Sequence, residues 1–239
     1  YSHAHMHNTG TASVCCLPHV CPHTGMLAVN SYPCRASKLG STVYVKVSGM
    51  SGLYNIVVCA SGGGGNFQAL IDARAQLNVE ISLLIVDREC GAIDRARTHG
   101  IPWVRLDTVT AQTLDAALPA TAQLVVLAGF MPIIPAVTCA KWRGKMINTH
   151  PSLLPKYGGK GMFGVKVQEA VLRAGETIAG CTVHYVSEDV DGGVVVAQKA
   201  IPVIAGETPW ELGGRVFKEE NSLLVEAVAF IKLSAEKEG

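Results

Sequence analysis

This sequence predicts an α/β fold: an open, mostly parallel sheet with helices on both faces, antiparallel strands near the C-terminus and a closing helix. Three observations point there. Short apolar segments recur between Asn55 and Thr149, each too brief for a buried helix and bounded by Gly, Pro or Asp. Segments of helix formers alternate with them, and such alternation implies right-handed crossovers between parallel strands. Composition agrees: 49% of the residues are hydrophobic, 25 are glycine and only 16% are charged, the profile of a well-buried protein.

The elements follow in order. Asn55–Ala60 (NIVVCA) is a buried strand, and Ser61–Asn66 a loop with four successive glycines. Phe67–Leu77 is helical, with Phe67, Leu70, Ile71 and Ala75 on one side. Ile81–Val86 is a second strand ending at Asp87, and Gly91–His99 a helix stopped by Gly100. Pro102–Leu106 is a short third strand, and Thr110–Leu118 a helix closed by Pro119. Gln123–Ala128 and Lys145–Thr149 complete the parallel set. The pattern then changes. Gly180–Ser187 and Val194–Val203 are longer strands joined by the acidic turn Glu188–Gly193 and read as antiparallel. A helix from about Pro209 to Lys232 closes the chain, with proline in its first turn.

A chain of 239 residues holds one large domain or two small ones. The expected organisation is a single domain over 50–239, with a nucleotide-phosphate half at about 50–150 and a catalytic half at about 151–239. Residues 1–49 differ in composition. They hold His3, His5, His7, His19 and His23 together with Cys15, Cys16, Cys21 and Cys34, and sustain no period before Thr42–Val47. Cys16, His19, Cys21 and His23 are ligand types, but their spacing fits no standard zinc pattern, so no metal is expected. The segment reads as an irregular leader, a tag or upstream translated sequence, disordered or non-native, with Met50 a candidate start.

A net charge of +1 gives no reason to expect nucleic acid or an anionic membrane as partner. No apolar run approaches the roughly 18 residues of a membrane span. Cys59, Cys90, Cys139 and Cys181 lie scattered in apolar surroundings, as reduced thiols of a cytoplasmic protein do. Either a monomer or a homodimer is compatible with the chain.

Two features carry chemistry. The first is the glycine loop, SGGGGN, between a strand and a helix. Backbone N–H groups at a helix N-terminus bind anions, phosphate above all. A dinucleotide fingerprint would need a third glycine where Phe67 stands, although Asp87 occupies the place of a ribose-binding acid. No Lys–Ser/Thr pair follows, which excludes a Walker loop. A tight turn with no ligand is the plain alternative. The second feature is KMINTHPSLLP at Lys145–Pro155. In a strand, residues two apart share a face, so Asn148 and His150 are presented side by side where the strand stops. An amide donor beside an imidazole suits a reaction in which a carbonyl oxygen gains charge while a proton moves. Asp191, in the turn DVDGGV, is either their carboxylate partner or a cap of its own turn.

In their order and spacing, NIVVCASGGGGNFQALIDA, VVLAGFM, INTHPSLLPKY and HYVSEDVDGG resemble the phosphoribosylglycinamide formyltransferases, a folate-dependent formyltransferase family with a Rossmann-like sheet. The resemblance spans Asn55 to Ala229. It implies formyl transfer from the co-substrate 10-formyltetrahydrofolate to the amine of glycinamide ribonucleotide in purine synthesis, without a metal. It also implies roles. Asn148 and His150 would stabilise the oxyanion, and Asp191 would keep the imidazole charged and relay a proton through water. Gly64, Gly65 and Asn66 would hold the phosphate. Glu220, which falls in the apolar stripe of Val216, Leu224, Ala227 and Ile231, would bind the sugar–glycinamide part; a structural ion pair is the alternative for that buried acid. The folate would contact Met131, Pro132, Ile133 and Ile134, Asn148, and the turn Ser187, Glu188, Asp189, Val190 and Asp191. A cis Leu154–Pro155 bond is a further expectation.

The chain also departs from that family. Gly65 replaces a common serine, and Pro132 an arginine that meets the folate tail. The region Leu106–Ala116 lacks another such arginine. The loop after Pro155 is a glycine–lysine version in which Lys156, Lys160 and Lys166 either supply positive charge or are solvated. Formyltetrahydrofolate deformylase, with water as acceptor, and a nonenzymatic nucleotide-binding protein remain alternatives. The first is expected to carry a regulatory domain in front, which the leader does not resemble.

Overall fold

A computed structural model describes residues 52–238. The candidate ligands Cys16, His19, Cys21 and His23, and Met50, lie outside the described residues. The elements are β1 (Tyr54–Ala60), α1 (Gly65–Leu77), β2 (Val79–Val86), α2 (Gly91–Thr98), β3 (Trp103–Arg105), α3 (Ala111–Ala117), β4 (Leu124–Leu127), α4 (Ala136–Lys141), β5 (Met146–His150), α5 (Val165–Arg173), β6 (Ile178–Tyr185), β7 (Val195–Pro202) and α6 (Pro209–Glu238).

One seven-stranded sheet runs in the order β3-β2-β1-β4-β5-β6-β7. The pairs from β3 to β5 are parallel, whereas β5–β6 and β6–β7 are antiparallel. Strand parity divides the core into two layers. Ile56, Val58 and Ala60 point to one face, where they meet Phe67 and Leu70 of α1 and Val216 and Leu224 of α6. Val57 and Cys59 point to the other, against Leu114 of α3 and Cys139 of α4. Each strand residue thus serves one layer only, which is why β1 and β4 read as continuous apolar runs.

The chain reverses its winding between β1 and β4, so the loops after these two strands diverge and open a crevice at their C-terminal ends. Gly64 enters α1 in the left-handed region (φ 71°), and an added Cβ there would meet Ala92 at 2.9 Å. Only glycine makes this tight entry without cost.

Two helix boundaries differ from expectation, and two helices were not expected. Helix α1 starts at Gly65, so Gly65 and Asn66 belong to its first turn. Helices α4 and α5 are additional; the first is a short piece after Pro135, and the second follows a glycine-rich loop whose breakers mask it. Helix α6 runs on to Glu238 because Leu233–Glu238 are helix formers with no stop among them.

Two glycines make opposite predictions. A Cβ at Gly193 would lie 1.7 Å from the Tyr185 carbonyl oxygen, whereas one at Gly214, inside α6, would meet nothing within 4 Å. Gly193→Ala is expected to destabilise the fold by about 1–3 kcal/mol. Gly214→Ala is expected to stabilise it by up to about 1 kcal/mol. Urea unfolding of the two variants checks this, and a loss in both would contradict the packing described.

Candidate active site

A cleft of about 1030 Å³ opens at the crevice beside β1 and β4. Every site residue expected from the sequence lines it: Gly64, Gly65 and Asn66; Met131, Pro132, Ile133 and Ile134; Asn148 and His150; Ser187, Glu188, Asp189, Val190 and Asp191; and Glu220.

Strand β5 delivers the central pair. Its last residues pair with β6, Asn148 opposite His184 and His150 opposite Thr182, which fixes their height in the cleft. Asp191 arrives from the turn between β6 and β7, its backbone in the left-handed region (φ 56°), a conformation aspartate tolerates. Its Oδ2 lies 3.4 Å from His150 Nδ1, and the two side chains are only 9% and 5% exposed. Asn148 Nδ2 donates to Asp191 Oδ1 at 3.4 Å and to His184 Nε2 at 3.2 Å. The loop after the cis Leu154–Pro155 bond closes the group from outside. Gly159 N–H donates to Asp191 Oδ2 at 2.9 Å, and His150 Nε2 donates to the Tyr157 carbonyl at 2.8 Å.

These contacts set the proton balance. Burial pushes the His150 imidazole below its ordinary pKa; the Asp191 carboxylate and the Tyr157 carbonyl pull it upward, and His184 pushes it down again. The Asp191 carboxylate thus acts in the direction expected of it, toward the charged ring, and in the free protein desolvation outweighs it. Burial raises Asp191 in turn, yet His184, the charge on His150 and the Gly159 N–H together hold its carboxyl below the usual range. Geometry sharpens the point. Both nitrogens of His150 face acceptors, so the protonated ring satisfies both, while the neutral ring leaves Nδ1 bare against a carboxylate.

His184, buried and in contact with Asn148 and Asp191, was not singled out from the sequence. Its Nδ1 faces the Tyr185 carbonyl at 2.9 Å, and its Nε2 faces Asn148 Nδ2 at 3.2 Å and Asp191 Oδ1 at 3.6 Å. A histidine two residues beyond Thr182 on a strand paired with β5 was the available signal.

At the other end, α1 presents its N-terminal turn, beside which Arg95 donates to the Gly63 carbonyl at 2.7 Å. Asn66 Nδ2 donates to Glu220 Oε1 at 2.6 Å, and Thr149 Oγ1 makes a short contact to the same oxygen. Glu220 is thus held by neutral donors, with no lysine or arginine bound to it among the described residues, and burial raises its pKa despite both hydrogen bonds. Asp87, the candidate ribose acid of a dinucleotide site, does not line the cleft; Arg88 Nε donates to it at 2.9 Å. Phe67 is fully buried core. Of the loop lysines, Lys156 pairs with Glu176 at 2.8 Å, Lys166 lies 4.8 Å from the Phe163 ring centre, and Lys160 lines the cleft.

Known proteins carry the same arrangement of sequence and fold. A family model described as formyl transferase matches residues 54–228. The chloroplastic phosphoribosylglycinamide formyltransferase of Arabidopsis thaliana is 36% identical over 188 residues, covering 74% of this chain and 64% of that protein. The trifunctional purine biosynthetic protein adenosine-3 of Homo sapiens is 36% identical over 190 residues, 74% of this chain but 18% of its own length. This chain therefore spans less than two thirds of these curated relatives. The crystal structure of phosphoribosylglycinamide formyltransferase from Anaplasma phagocytophilum superposes with a TM-score of 0.69 at 34% identity, covering 77% of this chain and 89% of that one. A formyltetrahydrofolate deformylase from Pseudomonas syringae shares the fold at 22% identity, with a TM-score of 0.66, 74% of this chain and 61% of that one being covered. The glycine loop, the Asn-Thr-His strand end and the Asp-Gly-Gly turn all fall inside the matched region, and the chain belongs to the formyl transferase family.

Proposed function

We propose that this chain transfers the formyl group of 10-formyltetrahydrofolate to the amine of glycinamide ribonucleotide, a step of purine biosynthesis. The observation that carries this reading is one cleft with chemically distinct ends. One end has the Asn148–His150–Asp191 group beside the apolar wall Met131–Ile134 and the turn Ser187–Val190. The other has the N-terminal turn of α1 and the buried carboxyl of Glu220. The family and the named relatives support the same activity.

The chemistry follows from the geometry. The folate ring system lies along Met131–Ile134 and Ser187–Val190, which places its formyl carbon near β5. The ribonucleotide phosphate rests on the backbone N–H groups at Gly64, Gly65 and Asn66, and Glu220 meets its sugar–glycinamide part. The amine nitrogen attacks the formyl carbon, and the carbonyl electron pair moves to oxygen. That oxygen competes for two donors already in place: the Nδ2 hydrogen that Asn148 directs at Asp191 over 3.4 Å, and the Nε2 hydrogen that His150 directs at Tyr157. Asp191 at Nδ1 then favours the imidazolium that shares its proton with the oxyanion. The attacking amine loses a proton through water near Asp191. Collapse breaks the bond to the folate nitrogen, which takes up that proton, and releases the formamide product. Holding both substrates in one cleft supplies the proximity that a bimolecular reaction lacks. Pro132, where the family resemblance implies an arginine, leaves this wall apolar, so the folate tail is expected to contribute little to affinity.

No helix among the described residues is long and apolar enough to cross a membrane. We place the activity in the cytoplasm or, as the names of two relatives state for those proteins, in a plastid.

The direct test is a formyl-transfer assay with glycinamide ribonucleotide beside a control without acceptor; formate release independent of acceptor would instead indicate a deformylase. His150→Ala and Asp191→Asn are each expected to lower turnover by about 10²–10⁴-fold with the fold retained, and near-normal rates in both would refute the assigned roles. Glu220→Gln is expected to raise the KM for ribonucleotide well above its effect on the KM for folate. Because Asp191 pulls the His150 pKa upward, Asp191→Asn should lower it further, as an NMR titration of the imidazole would report; a rise would contradict the pairing.

A further inference from the structure

Strand alternation accounts for Asn148 and His150 but leaves Thr149, between them, pointing to the opposite face. That face looks toward α6. Thr149 and Glu220 are both buried, at 7% and 6% exposure, as is Asn66 at 5%. Three donor contacts tie them together. Thr149 Oγ1 donates to Glu220 Oε1, Asn66 Nδ2 donates to the same Oε1 at 2.6 Å, and Asn66 Nδ2 also reaches Thr149 Oγ1 at 3.4 Å. Oε1 is therefore saturated, whereas Oε2 takes no hydrogen bond from the described residues, and Glu220 lines the cleft.

A trio built for stability alone would have a different composition. Burying a carboxyl without a cation costs several kcal/mol, and a neutral side chain of similar volume would avoid that cost. A cation is within reach of this helix, since the adjacent Glu219 pairs with Lys199 at 2.8 Å. Glu220 is instead turned inward, one oxygen fixed by neutral donors and the other presented to the cavity. Such an oxygen suits the hydroxyl and amide N–H donors of a ribose–glycinamide.

We infer that Thr149 is a positioning residue for the ribonucleotide: its hydroxyl fixes the Glu220 carboxyl so that Oε2 faces the sugar–glycinamide portion of the substrate. The inference rests on the formyltransferase reading above and adds to it a residue outside the expected set. It also gives β5 a double task, because the residue that orients the ribonucleotide anchor is flanked by the two that act on the formyl group. Asn66 alone, on α1, leaves Glu220 a single donor and freedom to rotate about it.

The test compares Thr149→Val, which keeps shape and strand preference but removes the hydroxyl, with Thr149→Ser, which keeps the hydroxyl. Steady-state kinetics are measured for each substrate in the presence of the other. Loss of one hydrogen bond to a buried group corresponds to about tenfold. Thr149→Val is therefore expected to raise the KM for glycinamide ribonucleotide by about that factor, with the KM for 10-formyltetrahydrofolate within about twofold of wild type, and Thr149→Ser to restore most of the loss. A ribonucleotide KM unchanged in Thr149→Val, an equal rise for both substrates, or a serine variant as impaired as the valine variant would overturn the inference while leaving the formyltransferase reading intact. Failure of the wild-type protein to formylate the ribonucleotide would overturn both.

Discussion

The structure depends on satisfying three polar residues at the end of a buried strand. Asn148, Thr149 and His150 complete β5, an interior strand of the sheet, where Thr149 and His150 are buried and Asn148 is half-buried at the floor of the cleft. Each needs a protein partner, and each partner comes from a different element: His184 from β6, Asp191 from the β6–β7 turn, Glu220 from α6, and the Tyr157 carbonyl from the loop after β5. An unmet buried donor or acceptor costs about 1–3 kcal/mol. The tripeptide therefore fixes the relative positions of most of what surrounds the cleft. On the proposed reading, alternation then separates the chemistry, with the two residues assigned to the formyl group on one face and the one that reaches the assigned ribonucleotide anchor on the other.

The proton balance of His150 is a contest between two effects of the same burial. A water-poor site weakens the charged ring directly, and it also strengthens the pull of the nearby carboxylate. In the free protein the first effect prevails. An anionic oxygen arriving beside the ring adds a second negative charge and shifts the contest toward the imidazolium. In the proposed reaction the ring thus gains its charge when the charge that needs it is generated, a consequence of placing one carboxylate at hydrogen-bonding range of the imidazole.

Much of this was legible in the sequence because burial leaves periodic traces. The apolar runs at Asn55–Ala60 and Gln123–Ala128 betray strands covered on both faces, and Glu220 stands out because an acid in the apolar stripe of a helix demands a reason. Asn148 and His150 are visible through the two-residue period. That same period hid Thr149, since a reading of one strand face passes over the residue between. His184 was inconspicuous for a related cause: inside HYV it follows the inward-facing pattern of its strand, so only its cross-strand neighbour Asn148 reveals a polar task. The Tyr157 carbonyl and the Gly159 N–H could not be found at all, since backbone groups have no side-chain signature. Helix α5 was hidden by the breakers before it; the tertiary fold, which buries Val167 and Val171, prevailed over that local signal.

The glycine–lysine loop after Pro155 takes on a more definite part in this light. Tyr157 sits at φ 57°, a left-handed conformation that costs a non-glycine residue about 1–2 kcal/mol. Its hydroxyl and the Lys156 ammonium both bind Glu176 at 2.8 Å, which anchors the segment where that conformation aims the carbonyl at His150. Gly158 follows in close quarters, since a Cβ there would lie 2.5 Å from the tip of the Leu154 side chain, which would have to shift, and 3.3 Å from the Asp191 side chain. The loop backbone therefore occupies, in the free protein, the same His150 hydrogen that an incoming carbonyl oxygen needs. Exchanging one acceptor for another keeps the imidazole satisfied before and during the reaction, so the site never carries an orphaned donor. A neutral carbonyl is the weaker of the two acceptors, and an oxyanion displaces it readily. In the proposed reaction the loop accordingly favours the charged oxygen of the transition state over the neutral oxygen of the substrate, and that difference is what accelerates a reaction.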